Sequence, residues 1–380
     1  MSDSMYEKQD LINFTNEPLE MQYQRILAKV MSALRYTEGD IVLSFSGGKD
    51  SALLLDIYCD VISTFNKHSS PIKAAWANTT NETSAMKSYV SWFIKRCEEK
   101  YGVSINLMEV KPANGDTFVT VARREGLPFV SKLVAGTLRK VSENMEAVGV
   151  TYDDIKDLHK PTIKCRDTLR DMGLSDTTVL AMTGWSCKRE EFGKAFVLPM
   201  QWMPLLNIKN VIGKDIRFSE KCCTILKKEP LLRLDYPNMM TGEQAVESKT
   251  RESAWLKHGC NYTLPDGAFR SRPLGAVSLD AVLHAIKLRD VPICSDYGEV
   301  VYNGCDKKNK YKCTKAQRTG CALCGFGIKY DPDRFVRLQE TEPAKVAFAF
   351  KPIEEGGLGY KEVCEYANEY CRTEIAIPKI

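Results

Sequence analysis

The segment Ser44-Phe-Ser-Gly-Gly-Lys-Asp-Ser51 constrains this chain more than any other, because of what flanks it. Ile41, Val42 and Leu43 before it read as a short buried strand, and Ser51-Ala-Leu-Leu-Leu-Asp-Ile-Tyr58 after it reads as a helix. Glycines between a strand and a helix let the backbone approach a ligand, and the free amides at the helix start point at an anion. Phosphate is the natural guest. Ser44, Ser46 and Ser51 add hydroxyls, Gly47 and Gly48 supply the turn, and Lys49 adds a compact positive charge. Asp50 can cap the helix or help hold a magnesium ion. The loop is not a Walker A motif, since the four-residue spacer and the Gly-Lys-Ser/Thr ending are missing.

Around this loop the pattern alternates. An amphipathic helix is expected over 19–36, where Leu19, Tyr23, Ile26, Leu27, Val30 and Leu34 recur at helical spacing. A second apolar run at 72–77 ends in Asn78-Thr79-Thr80-Asn81-Glu82, a helical pattern follows over 84–97, and a third run at 103–110 ends at Lys111-Pro112. Strands alternating with helices predict an α/β fold: a doubly wound, mostly parallel sheet with right-handed crossovers, whose ligands sit beyond the carboxyl ends of the strands. The loops at Ser44, Asn78 and Lys111 should then face one crevice. Residues 113–215 read as mainly helical and charged, with apolar stretches at 196–200 and 202–206 that match neither period. Leu231-Leu-Arg-Leu234 ends in Asp235-Tyr236-Pro237, and 238–251 reads as a loop entering a helix. A helix is expected over 278–289, and a cysteine-rich loop over 303–327. This divides the chain into a nucleotide-binding α/β domain with a helical insertion, 1–260, and a helical, cysteine-rich C-terminal region, 261–380.

Composition narrows the class. The chain has 380 residues, 44% hydrophobic and 27% charged, as ordinary globular proteins do. A balance of 53 Lys plus Arg against 49 Asp plus Glu leaves +4, too little to demand nucleic acid by itself. A local basic stripe exists: Lys221, Lys227, Lys228, Arg270, Arg272, Lys307, Lys308, Lys310, Lys312, Lys315 and Arg318, with Tyr302 and Tyr311 interleaved. It reads equally as a nucleic-acid surface or as solvated loops around a metal site. No stretch approaches the roughly 18 apolar residues of a membrane helix, and the charged first 18 residues do not read as a secretory signal. A cytosolic location is the expectation. In a reducing compartment the 14 cysteines read as buried thiols, metal ligands or redox groups before disulfides, with Cys59, Cys97 and Cys294 expected to be buried.

Ser-Gly-Gly-Lys-Asp-Ser resembles the PP-loop of the adenine-nucleotide alpha hydrolases, which include ATP pyrophosphatases, tRNA thiolases and sulfonucleotide reductases. Four further segments resemble the phosphoadenosine phosphosulfate reductase-like branch of that superfamily: 219–230 with Cys222-Cys223, Glu247-Ser-Lys-Thr-Arg251, Trp255-Leu-Lys-His-Gly-Cys-Asn261 and Arg318-Thr-Gly-Cys-Ala-Leu-Cys-Gly-Phe-Gly327. The resemblance implies that the 247–251 segment lies close to the nucleotide, with Arg251 a phosphate partner and Glu247 its organiser. Read without it, the segment is a helix start carrying an ordinary ion pair.

Cys321-x-x-Cys324, flanked by Gly320 and Gly325, is a ligand loop that needs two more ligands. A tandem Cys-Cys pair with a later Cys-x-x-Cys resembles the 4Fe-4S pattern of bacterial sulfonucleotide reductases, which makes Cys222 and Cys223 the leading source. Two rivals stay open. Cys305 and Cys313 precede Cys321 at equal spacing and could complete a four-thiolate zinc site, and Cys260 could replace one member of the tandem pair.

Reductases of this family attack their substrate with a cysteine in a late Glu-Cys-Gly-x-His type segment. This chain has none: Cys364 and Cys371 lie in a helical pattern, and no histidine follows His284. The resemblance therefore implies ATP cleavage to AMP and pyrophosphate, with Lys49 and Mg2+ stabilising the departing charge, to activate a substrate for sulfur transfer with the help of the cluster and a sulfur-donor protein. Nucleic acid is a candidate acceptor. A sulfonucleotide reductase and a nucleotide-binding partner subunit without turnover are the alternatives, and a homo-oligomeric assembly is left open.

Overall fold

Three short apolar runs separated by helical ones give the start of a parallel sheet, because each strand needs a crossover to return in the same direction. The computed structural model describes residues 4–65, 70–187, 191–192, 196–304 and 310–379, and it contains that sheet. Strands β1 (Val42–Ser44), β2 (Ile72–Ala77) and β3 (Ile105–Val110) pair in parallel, joined by helices α2 (Lys49–Thr64) and α3 (Ser84–Tyr101). Helix α1 (Leu19–Tyr36) precedes them, as its periodicity predicts.

The sheet continues through residues whose sequence does not advertise a strand. β4 (Met239–Thr241) pairs in parallel with β1, and a hairpin of β5 (Asn261–Thr263) and β6 (Phe269–Ser271) completes the order β3-β2-β1-β4-β6-β5, with only β5 antiparallel. The doubly wound, mostly parallel α/β reading is thus met by a six-stranded sheet. The reading of 238–251 as a loop entering a helix is met at its end, where the helix Lys249–His258 begins, and corrected at its start, where three residues form the strand beside β1. Three residues are too few to display a period of two, and Pro237 just before them reads as a breaker.

The chain forms two compact units, each discontinuous in sequence. The first comprises Met1–Asn78, Glu82–Lys111 and Lys228–Gly320, the second Thr79–Asn81, Pro112–Lys227 and Cys321–Ile380. The expected division after residue 260 falls inside the first unit, immediately before β5, and the 303–327 stretch is shared between the two.

In the first unit α1, α2, α3 and α5 (Leu279–Leu288) bury Ile26, Leu54, Phe93 and Leu283 with Leu43, Ala74 and Met240 of the sheet. Cys59, Cys97 and Cys294 are buried in this core, as expected. The second unit is mainly helical. Its core gathers Phe129, Trp202, Phe335, Phe350 and Tyr360, and a short parallel pair joins Phe129–Val130 to Gly325–Phe326. The unassigned run at 202–206 lies in the 3-10 helix Met200–Asn207, whose three-residue turn departs from the 3.6-residue period. No helix among the described residues is long and apolar enough to cross a membrane.

Candidate functional site

All the parallel strands of the first unit end at the same edge of the sheet, and the predicted phosphate loop leaves β1 there. Gly47 has φ +74°, and a side chain at this position would collide with Met86 and Val90 of α3, so both backbone and packing require glycine. The loop is tied to itself by its serines. Ser51 Oγ donates to the Gly48 carbonyl (2.9 Å) and accepts from the Ser46 amide (3.2 Å), and the two hydroxyls lie 3.1 Å apart. Gly48 stands at the N-cap of α2 without a side-chain cap of its own; its amide donates to Ser46 Oγ (3.3 Å) and the Lys49 amide to the Tyr297 hydroxyl (3.3 Å), and the positive end of the helix dipole favours an anion there. Lys49 is only 3% exposed, and its ammonium group bonds both carboxylate oxygens of Asp50 (3.2 and 3.1 Å). Ser44 ends β1 between Ala75 of β2 and Thr241 of β4. The Thr241 hydroxyl is buried there with no hydrogen-bond partner among the described residues.

The other nucleotide candidates follow neighbouring strands. Asn78 directly follows β2, but its side-chain amide donates to Glu109 (2.7 Å). Glu247 and Arg251 follow β4, at the start of helix α4 (Lys249–His258), where Ser248 caps the Arg251 amide. Arg251 pairs with Glu247, Glu247 also accepts from Arg318 (3.0 Å), and Glu243 takes Arg272 (3.2 Å) and Arg251 (3.7 Å). Three arginines thus share two glutamates, leaving one positive charge in excess. The sequence reading placed Arg272 in a basic stripe and Arg318 both there and at the head of the cysteine-loop segment, assigned neither to the nucleotide, and did not single out Glu243.

Sequence reasoning also missed Tyr297. Its hydroxyl accepts from the Lys49 backbone amide (3.3 Å) and from Thr319 (2.6 Å), and its ring centre lies 5.7 Å from the Lys49 ammonium nitrogen. Nothing in Cys294-Ser-Asp-Tyr297 forms a phosphate motif, so only the fold reveals it.

The four leading cysteines all belong to the second unit. Cys222 and Cys223 lie on the short helical turn Lys221–Cys223, followed by the wide π-type turn Thr224–Lys228. Helix Lys132–Val148 fastens this turn along one face. Lys132 lies beside Cys223, Glu220 rests against Gly136, and Arg139 bonds Glu220 (2.8 and 3.2 Å). On the other side Lys221 pairs with Glu125 (2.7 Å). The Cys-x-x-Cys loop is held by residues that follow β2: Thr79 Oγ1 lies 3.3 Å from Cys321 Sγ, and Asn81 accepts the amides of Ala322 and Leu323.

These thiols act on one another electrostatically. Cys222 is pushed up by its hydrogen bond to Cys223, by burial and by the charges of Cys223, Cys324 and Cys321, while Cys223 is lowered to about 6 by Cys222, Lys132 and Lys227. Burial raises Cys324 to about 12, with Cys321 and Cys223 adding to the rise. Among the described residues no three His, Cys, Asp or Glu side chains are gathered tightly enough to hold a single metal ion. Zinc draws four thiolates in at about 2.3 Å each. A cubane carries its own iron and sulfide between the cysteines, and the effect of Cys222, Cys223, Cys321 and Cys324 on one another is the observation that bears on such a group.

The rivals belong to the first unit. Cys260 is buried against Trp255, whose indole donates to its sulfur (3.4 Å). Cys313, on the strand Tyr311–Cys313, is buried where it feels the charges of Lys49 and Asp50. Cys305, Lys307 and Lys308 lie outside the described residues.

The fold and its loop define a class: an α/β protein with an anion-ready helix start at the carboxyl edge of a parallel sheet. No family model matches the sequence, and neither does any curated protein. Among solved structures the chain is similar to a phosphoadenylyl-sulfate (PAPS) reductase from Candida auris in phosphate complex. The identity is 12%, over 70% of this chain and 82% of that one, with a TM-score of 0.31.

Proposed function

We propose that the chain binds ATP at 44–51 and cleaves it to AMP and pyrophosphate, activating a substrate for sulfur transfer. The observation that carries this reading is Lys49: a buried ammonium at a helix start, at the carboxyl edge of a parallel sheet, whose one ion pair among the described residues is with Asp50. An ammonium has three N–H donors, and the two bonds to Asp50 leave one for a phosphate.

A substrate oxygen attacks the α-phosphorus, the bond to the β-phosphate breaks, and pyrophosphate leaves with the electron pair. The outer sulfur of a persulfide carried by a sulfur-donor protein then attacks the substrate carbon, the C–O bond to AMP breaks and AMP leaves, and a second thiol attacks the resulting disulfide, forming a new disulfide with the donor and releasing the thiolated product. Lys49 at the positive end of α2 would hold the departing phosphates, Arg251 would steady the anion, and Asp50 would help hold Mg2+. Cys222, Cys223, Cys321 and Cys324 supply four thiolates that suit a 4Fe-4S cluster, which when bound would hold or hand on sulfur.

The test uses anaerobically purified full chain. Calorimetry should detect MgATP binding, and ATP labelled at the α-phosphate should yield AMP, not ADP, when cell-extracted RNA or DNA is supplied as acceptor. Iron and acid-labile sulfide should each reach about four per chain. Sulfite release from a sulfonucleotide with thioredoxin, without pyrophosphate from ATP, would replace this reading by reduction.

A further inference from the structure

The site described above uses the helix start, the serines and Lys49, but leaves one buried hydroxyl without a task. Tyr297 is 2% exposed. A carbon placed on Gly48 would lie 3.3 Å from its oxygen, so the phenol stands directly against the phosphate loop. Its place is fixed from several sides. The Tyr297 amide donates to the Cys294 carbonyl (2.9 Å), its carbonyl accepts from Lys315 (3.0 Å), and neighbouring Asp296 accepts from Thr83 at the N-cap of α3.

The phenol oxygen accepts twice, from the Lys49 amide and the Thr319 hydroxyl. A phenol has two acceptor positions and one proton. Both acceptor positions are filled, and among the described residues no acceptor takes the proton. Donation into a hydroxyl oxygen polarises its O–H, making it a stronger donor than an isolated phenol. Burial raises the phenol's pKa despite the nearby Lys49 charge, so the proton stays in place at neutral pH.

We propose that Tyr297 is a phosphate-contacting residue, whose hydroxyl donates to the terminal phosphates at the loop and relays the pull of the Lys49 amide and Thr319. This rests on the nucleotide reading given above and adds to it a residue that binds the leaving pyrophosphate.

Calorimetry of the full chain with inorganic pyrophosphate, and separately with AMP, tests it in wild type, Tyr297→Phe and Thr319→Val. A hydrogen bond to a charged group is worth enough to predict a pyrophosphate Kd raised roughly tenfold or more in Tyr297→Phe. AMP affinity should be unchanged, while the melting temperature of Tyr297→Phe should fall modestly because the Lys49 amide and Thr319 lose their acceptor. Thr319→Val, which keeps the phenol but removes one polarising donor, should give a smaller rise. Unchanged pyrophosphate affinity in both variants overturns the proposal. So does equal weakening of pyrophosphate and AMP, which assigns Tyr297 to packing. If wild type binds neither pyrophosphate nor ATP, the nucleotide reading itself fails and this inference with it.

Discussion

Lys49 is where residue chemistry and site coincide, since its charge is buried and, among the described residues, answered in an ion pair by Asp50 alone. Lys49→Ala should weaken MgATP binding about tenfold or more while leaving the fold intact, because the helix start and serine bonds remain. Titration calorimetry reads this directly, and an unchanged Kd would place the phosphates elsewhere. Gly47 makes a different prediction. Any side chain there meets Met86 and Val90 and must adopt φ +74°, so Gly47→Ala should destabilise by about 1–3 kcal/mol in urea unfolding. Near the cysteines, Glu220 provides a pH signature. Burial pulls its carboxyl up, but the Arg139 hydrogen bonds outweigh burial and leave it below the ordinary value of 4.5. A depressed folded pKa means stability present above the unfolded value and lost as pH falls through the folded one. Glu220→Gln should therefore be less stable than wild type at pH 7, with the gap closing below about pH 4.5 as wild type loses its advantage. Parallel urea midpoints at pH 7 and pH 3.5 would contradict it.

At the scale of elements, one arginine ties four helices together. Arg289, just past α5, bonds Asp56 and Asp60 on α2, Tyr101 at the end of α3 and Tyr23 on α1, while Asp56 is wholly buried and also takes Lys100. Asp56 keeps Lys100 and Tyr101 when Arg289 is removed, so Arg289→Met, which loses a hydrogen bond to a buried charge, should cost about 1.5–3 kcal/mol. Chemical denaturation of the variant beside wild type reads the loss. These helices were legible in the sequence because long amphipathic patterns repeat over several turns: 19–36 was read to the residue. The loop and its flanking strand and helix were legible for a related reason, since glycines at a strand-to-helix junction have few other uses. Tyr297, Glu243 and β4 were not. Their roles arise from pairing across long sequence separations, and no local pattern in 238–241 or 294–297 reports which strand or loop will lie beside them.

Over the whole molecule, each unit carries its own core, and the two candidate sites divide between them: nucleotide residues in the first, the four leading cysteines in the second. Ligand linkage then predicts separate effects. MgATP should raise the unfolding temperature of cluster-free protein, and cluster loading should raise it without ATP, as scanning calorimetry of the four states would show. The sequence hid this division because both units are assembled from non-contiguous pieces, while a linear reading can only cut at one point. The order of assembly has its own consequence. β1 lies between β2, which follows it closely, and β4, which arrives almost two hundred residues later. A growing chain that has just emerged through residue 227 has made all of the second unit's first two segments, yet its three-stranded sheet still shows a bare inner edge of Val42, Leu43 and Ser44. During synthesis that edge is the protein's most exposed liability, open to pairing with a neighbouring nascent chain. A ribosome stalled between 227 and 239 should therefore yield insoluble product, and one stalled past β6 should not.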